Sequence, residues 1–241
     1  MIKTKVYHIS FHAAHNLSCL FFWGCNFSCK GCLRRAEPLD CHFPGTKNPK
    51  PFSPTFLTLD EITSALKKAK PKIIVFEGWE PTFDQNLSEI TKRLHHELGT
   101  WNYLLTNGYF LPELEGMDEV KVSIKAISSE IHREYTGKSN KRVLENFQKL
   151  YQSKIKLSAE TVFIPGFMDK EEVGKIAKFI ASVDKEIPLR IDAYWPIVSK
   201  RWRAPTTKEM KEAVEEAKGY LVNVSFLNGS EEVQGEVIRL I

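Results

Sequence analysis

Gly24-Cys25-Asn26-Phe27-Ser28-Cys29-Lys30-Gly31-Cys32 sets three cysteines in the spacing C-x3-C-x2-C, directly after an apolar run at 18–23. Three thiolates can hold three corners of a 4Fe-4S cube and leave the fourth iron without a protein ligand, open to a small molecule that binds and reacts there. Electron carriers normally spend four cysteines on a cluster, so three point to chemistry rather than storage of an electron. The same residues allow another reading, a zinc site completed by Cys41 or His42. No matching cysteine pair follows later in the chain, which weakens it.

Working outward, short β-branched and aromatic runs alternate with helical patterns. The spacing predicts strands at 18–23, 72–77, 101–105, 119–125, 156–164 and 187–194, and helices at 59–69, 86–98, 129–135, 140–151, 169–183 and 207–218. Such alternation means an α/β fold, with parallel strands joined by helical crossovers. Thr58 with Glu61 forms a capping box ahead of Ile62, Ala65 and Leu66, and Asp169 precedes Glu171, Val173 and Ile176 in the same manner. Residues 34–57 break the rhythm with Pro38, Pro44, Gly45, Pro49, Pro51 and Pro54. They form a long loop straight after the cysteines, either a substrate-facing segment or plain surface.

Five further stretches follow the cysteines in order. They are Phe76-Glu77-Gly78-Trp79-Glu80-Pro81, Thr106-Asn107-Gly108, Ser123-Ile124-Lys125, Tyr135-Thr136-Gly137-Lys138-Ser139-Asn140 with Val143-Leu144-Glu145-Asn146, and Ile164-Pro165-Gly166-Phe167-Met168-Asp169. Together with C-x3-C-x2-C they resemble the radical S-adenosylmethionine superfamily, and within it the pyruvate formate-lyase activating enzymes, the glycyl-radical enzyme activases. The resemblance implies a partial (β/α)6 TIM-like barrel of parallel strands, with residues 1–241 as one domain. It implies a 4Fe-4S cluster on Cys25, Cys29 and Cys32, the metal-binding and catalytic residues, and S-adenosylmethionine chelated to the open iron. One electron then cleaves that cofactor to methionine and a 5′-deoxyadenosyl radical, which abstracts hydrogen from a protein substrate. A flavodoxin or ferredoxin would supply the electron. The cofactor-binding set implied is Gly78, Trp79, Glu80, Thr106, Asn107, Ser123, Lys125 and Trp195. Glu80 would receive the cofactor's ammonium group in a charge-assisted hydrogen bond, and Lys125 would meet its carboxylate.

The residues read by themselves qualify this. Gly78 lets backbone approach a ligand closely. Asn107-Gly108 is a tight-turn signal in its own right. Trp79 and Trp195 suit packing as well as a stacking wall. Departures from the family pattern are Gly31, where an aromatic residue usually touches the adenine, and Trp79, where a second glycine is usual. Leu105 and Ser123 stand where acids are common, and Trp195 aligns with a histidine. Losing both acids removes the expected support for a monovalent cation. These departures leave room for a small molecule or an RNA base as substrate. A metal-stabilised nucleic-acid-binding module is the remaining alternative.

Composition narrows the classes. The chain has 241 residues, 42% hydrophobic and 27% charged, with a net charge of +4, ordinary for a soluble globular protein. The mild basicity does not argue for nucleic acid. Lys67-Lys68-Ala69-Lys70-Pro71-Lys72 and Lys200-Arg201-Trp202-Arg203 read as solvated surface, the second also as a grip for an acidic partner or RNA. Of the five cysteines, none lies after Cys41, so a second cluster has no ligands. An odd count argues against a disulfide scaffold. No run approaches the roughly 20 apolar residues of a membrane span, and the N-terminus lacks a signal-peptide core. The expectation is a cytoplasmic, reduced protein. Cys19 reads as a buried thiol, and Cys41 could donate a hydrogen atom or an electron. His12 and His15, placed just before the first strand, could face the cavity, though ordinary hydrogen-bonded histidines are the commoner case.

Overall fold

The computed structural model describes residues 2–43, 52–197, 201–229, 231 and 234–241. Of the proline-rich loop, Pro44, Gly45, Pro49 and Pro51 lie outside the described residues, as does Lys200. The strands are β1 (Val6–His12), β2 (Leu17–Phe22), β3 (Ile73–Gly78), β4 (Trp101–Thr106), β5 (Glu119–Ser123), β6 (Lys156–Phe163), β7 (Leu189–Ala193), β8 (Val224–Leu227) and β9 (Val237–Arg239). The helices are α1 (Leu59–Ala69), α2 (Leu87–Leu98), α3 (Ser129–Thr136), α4 (Lys141–Gln152), α5 (Lys170–Val183) and α6 (Thr207–Lys218).

All strands join one sheet in the order β8-β7-β6-β5-β4-β3-β2-β1-β9, parallel from β2 to β8. Its ends, β8 and β9, do not pair among the described residues, so the barrel is partial, as expected. The six expected strands are β2 to β7, and the six expected helices are all present. The connection from β4 to β5 has no helix among the described residues. Three strands were not foreseen. β1 runs antiparallel to β2, and β9 antiparallel to β1; β8 extends the parallel series. His12 therefore sits on a strand rather than ahead of the first one.

Strand alternation sorts the side chains by face. Leu20, Phe22, Ile74, Phe76, Leu104, Val120, Val122, Ala159 and Ile191 share one buried core with helix residues such as Ile62, Leu66, Ile90, Phe147, Ile176 and Met210. Their neighbours in sequence, Glu77, Leu105, Ser123, Glu160, Arg190 and Asp192, line a cavity instead. Helix starts follow local chemistry. The Thr58–Glu61 capping box forms on α1, and Thr206–Glu209 forms another on α6. Asp169 occupies the N-cap position of α5, but its side chain makes no bond to that helix. Its Oδ1 accepts the Gly166 N–H at 2.8 Å and closes the preceding turn.

Candidate active site

The cavity, about 1030 Å³, opens at the C-terminal ends of the parallel strands, where α/β barrels gather ligands. Cys25, Cys29, Cys32, Gly78, Trp79, Glu80, Thr106, Asn107, Ser123, Lys125 and Trp195 all line it. Every expected site residue is thus brought to one place.

The cysteine loop follows β2 and is held by distant parts of the chain. Ser28 N–H donates to the Thr136 carbonyl at 2.9 Å and Lys30 N–H to the Tyr135 carbonyl at 3.0 Å, both at the end of α3. Phe27 packs edge-on against Tyr109 and His132. Phe27 N–H donates to Cys25 Sγ at 3.3 Å, and Asn107 Nδ2 reaches the same sulfur at 3.5 Å and Asn26 Oδ1 at 2.9 Å. All three thiols are free. Burial pushes the Cys25 thiol up to about 12, helped by the Glu80 charge, and the Cys29 thiol up to about 11, opposed by Lys125. Iron must therefore displace protons on binding. The donor set fits a cluster: soft sulfurs, amide donors aimed at one of them, and Lys125 and Arg35 close enough to favour a Cys29 thiolate. Among the described residues, donor trios within 4.8 Å of one another are His12-Cys19-Asp40 and Asp40-Cys41-His42. The three sulfurs form no such trio. A single zinc ion would need them drawn together, whereas a cube places each on a different iron. Cys41 and His42 stand with Asp40 rather than completing the trio of cysteines.

Glu80 is 1% exposed. Its Oε1 accepts Thr82 N–H at 3.1 Å, Thr82 Oγ1 at 2.6 Å and Thr106 Oγ1 at 2.7 Å, and its Oε2 accepts Asn107 N–H at 2.7 Å. Burial still raises its pKa above the ordinary carboxylate value. Thr106 and Asn107 thus hold Glu80, and Asn107 links it to the cysteine loop. Asn146 Nδ2 clamps the turn from below by donating to the Gly108 and Tyr109 carbonyls, each at 3.0 Å.

The need for glycine at 78 lies in the sheet. Gly78 has φ +111°, and an added Cβ would stand 2.7 Å from Phe22 N and 2.8 Å from Phe22 O. The close approach is to the backbone of β2 rather than to a ligand. Gly31 has a similar explanation. A Cβ there would meet Tyr194 Cε2 at 2.6 Å and the Tyr135 hydroxyl at 3.1 Å, so aromatic rings from helix α3 and from the segment just after β7 occupy the space beside it. Trp79 packs on Trp23 at 5.1 Å between ring centroids while lining the cavity. Trp195 is 40% exposed at the cavity edge.

Lys125 lies just past β5, its Nζ donating to Ser123 Oγ at 2.5 Å. Beyond it stands a charged set that motif reading missed. Arg190 Nη2 donates to Glu160 Oε2 at 2.7 Å and to Asp192 Oδ2 at 2.9 Å. Burial and the Glu160 charge raise the Asp192 pKa against the pull of Arg190. Arg34 is a second missed residue. It donates to the Leu39 carbonyl at 2.8 Å and to Glu77 Oε2 at 3.3 Å, and its guanidinium lies over Phe21 at 4.7 Å. The usable signal was its partner Glu77, the one charged residue in the otherwise apolar strand β3. The described arginines of the basic run near 200 are exposed but paired. Arg201 pairs with Glu134 at 2.7 Å and Arg203 with Glu209 at 2.5 Å, while Trp202 is buried and stacked on Phe167 at 4.8 Å.

Comparison with known proteins agrees with this geometry. The family model described as the radical SAM superfamily matches residues 20–180. A Methanocaldococcus jannaschii protein, provisionally named a glycyl-radical enzyme activating enzyme, is 34% identical over 214 residues, covering 86% of this chain and 78% of its own. A pyruvate formate-lyase-activating enzyme of Staphylococcus aureus is 26% identical over 193 residues, covering 72% of this chain and 75% of its own. Among solved structures, Streptococcus suis SuiB bound to precursor peptide SuiA superposes with a TM-score of 0.63 at 13% identity, over 84% of this chain and 46% of that one. That likeness concerns the fold. No helix among the described residues is long and apolar enough to cross a membrane.

Proposed function

The chain belongs to the radical S-adenosylmethionine superfamily, and from that premise we propose that it is an activating enzyme that abstracts hydrogen from a protein substrate. Membership makes it an enzyme of the radical type, with a 4Fe-4S cluster and S-adenosylmethionine as cofactors. When bound and given one electron, that pair supplies a 5′-deoxyadenosyl radical. The observation that carries the reading is the meeting of free Cys25, Cys29 and Cys32 with Glu80 and Lys125 in one cavity.

The chain's own residues then have distinct tasks. Cys25, Cys29 and Cys32 would hold three irons of the cluster. The Oε2 of Glu80, accepting one bond from Asn107, keeps a lone pair for the cofactor's ammonium group. Lys125 offers its ammonium group to the cofactor's carboxylate, with Ser123 as its resting partner. Thr106 and Asn107 fix the direction of Glu80, and Gly78 sets the backbone between Glu80 and the cysteine loop. Trp79 and Trp195 wall the cavity. Relatives named as activating enzymes support a protein donor. The setting is a reduced cytoplasm, and the electron comes from a flavodoxin or ferredoxin. A small polar substrate is the second reading, favoured by Glu160, Arg190 and Asp192 on the cavity wall.

The test uses anaerobically reconstituted, reduced protein, with an EPR spectrum recorded with and without S-adenosylmethionine and an assay for 5′-deoxyadenosine. A shifted cluster signal and product are expected. Deuterium should then pass into 5′-deoxyadenosine from a deuterated protein partner. Transfer from a deuterated small-molecule extract in place of protein would favour the second reading. A cluster indifferent to the cofactor, with no product, would sink both.

A further inference from the structure

A second cluster of metal-ligating side chains stands on the cavity wall, apart from the three cysteines. Its centre is Asp40, 2% exposed. Asp40 Oδ2 accepts Ser10 Oγ at 2.6 Å and meets His12 Nε2 at 2.9 Å. Asp40 Oδ1 accepts His42 N–H at 3.0 Å and meets His42 Nδ1 at 2.7 Å. The two imidazoles lie edge to face, 5.2 Å between centroids. Two thiols complete the surroundings: Cys19 within 4.8 Å of His12 and Asp40 donors, and Cys41 within 4.8 Å of those of Asp40 and His42. His12, Cys41 and His42 face the cavity.

We propose that His12, Asp40, Cys41 and His42 bind one zinc ion. Two imidazoles, a carboxylate and a thiol are the donors zinc takes, and four of them make a closed, structural site. A hydrogen-bond hub needs no thiol, yet here both flanks of the carboxylate carry one. The two histidine–aspartate contacts already place one imidazole nitrogen against each oxygen of the same carboxylate. Zinc takes the place of the protons shared there and of the Cys41 thiol proton, all of which pass to solvent. His42, whose side chain is 46% exposed, turns in from the cavity side to close the set. The ion fastens the loop that follows the cluster to strand β1. Arg34 already holds that loop through the Leu39 carbonyl, and Tyr7 through the Pro38 carbonyl.

The experiment uses the untagged full chain carrying C25S, C29S and C32S, so that no cluster cysteine competes for metal. Zinc is titrated by calorimetry, and cobalt serves as the spectroscopic stand-in. One equivalent of zinc per chain, a rise in melting temperature on adding it, and a thiolate-to-cobalt charge-transfer band are expected. Adding Asp40→Asn should weaken zinc by at least about tenfold, since losing even an outer partner of a ligand costs about 10–100-fold. His42→Ala, at a half-exposed position, tests the same loss without disturbing the core. In the intact chain loaded with iron and sulfide, one zinc should accompany the iron. A folded triple variant that binds no zinc would overturn the proposal and leave Asp40 a hydrogen-bond hub. Equal zinc affinity in parent, Asp40→Asn and His42→Ala would overturn it as well. Zinc counted in a chain without cluster ligands is independent of whether the cluster reading holds.

Discussion

Replacing Gly78 by alanine puts a methyl group where the backbone of β2 already lies. The cost has two parts. At φ +111° an L-residue sits in a region essentially reserved for glycine, worth about 1–3 kcal/mol. The new Cβ would also stand 2.7 Å from Phe22 N and 2.8 Å from Phe22 O. Neither atom can swing aside, because Phe22 O accepts the Trp79 N–H at 3.0 Å and the Phe22 side chain is wholly buried. Forcing such a contact costs about 1–3 kcal/mol more. The sum, roughly 2–6 kcal/mol, corresponds to a fall in melting temperature of about 5–20 °C for a chain of this size. Gly99→Ala is the control. It has φ +62° but no heavy atom within 4 Å of the added Cβ, so it bears the left-handed cost alone, about 1–2 kcal/mol. Thermal and denaturant unfolding of the two apo variants under reducing, anaerobic conditions measures the difference. The displaced Phe22 lies three residues before Cys25, so iron retained after reconstitution should fall in Gly78→Ala and not in Gly99→Ala. If the two variants unfold within about 0.5 kcal/mol of each other, a spread typical of neutral surface changes, the packing argument for Gly78 is wrong.

Further outcomes can be checked on single variants. Glu80→Gln keeps the volume but meets the Asn107 and Thr82 N–H groups with an amide; it should lose about 1–3 kcal/mol of stability and at least tenfold in S-adenosylmethionine affinity by calorimetry, and unchanged affinity in the folded variant would remove Glu80 from the cofactor's contacts. Gly31→Phe should reduce cofactor binding because Tyr194 and Tyr135 stand beside it, and adding Tyr194→Ala should restore it; a single variant as active as the parent would show that those rings move freely. His8 is wholly buried, donates its Nδ1–H to the Ile241 carbonyl at 2.7 Å, and leaves Nε2 without a hydrogen-bond partner among the described residues. Burial lowers its pKa from 6.5 to about 4. Between those values the unfolded chain binds the proton and the folded chain does not, so stability should fall as pH drops through that window, by up to roughly 3 kcal/mol. His8→Phe should flatten the slope in denaturant titrations, and an unaltered slope would assign the loss to other groups.

The sequence carried the parallel part of the fold because its signals are local. Each apolar run from β2 to β7 is bounded by turn residues, and α1 begins at the capping box that Thr58 and Glu61 announce. β1 escaped because its run Val6-Tyr7-His8-Ile9-Ser10-Phe11-His12 interleaves polar residues with apolar ones. It is a plain alternating strand, of whose polar positions 8, 10 and 12 only His12 drew notice, as an isolated histidine. The motif residues were legible because several stand a few residues apart along the chain. Glu160 and Arg190 were not, since what unites them is register: Glu160 lies opposite Arg190 across β6 and β7, thirty residues on. The same holds for Asp40 with His12 and Ser10, joined by a loop that folds back on β1. Asp169 shows the reverse error, a correct position at a helix start with a side chain committed to Gly166.

The support of the cysteine loop by the end of α3 sets an order of events during synthesis. The loop leaves the ribosome early, but the carbonyl that Ser28 Oγ grips belongs to Thr136, 108 residues further on. At about 5–20 residues per second, the thiols spend roughly 5–20 seconds on a nascent chain without their final scaffold, and Asn146, which clamps the turn beneath Cys25, comes later still. On the proposed cluster site, iron delivery would be a late act of maturation. It waits for most of the chain to emerge, and the three thiols in the meantime rely on the reducing power of their surroundings to stay unpaired.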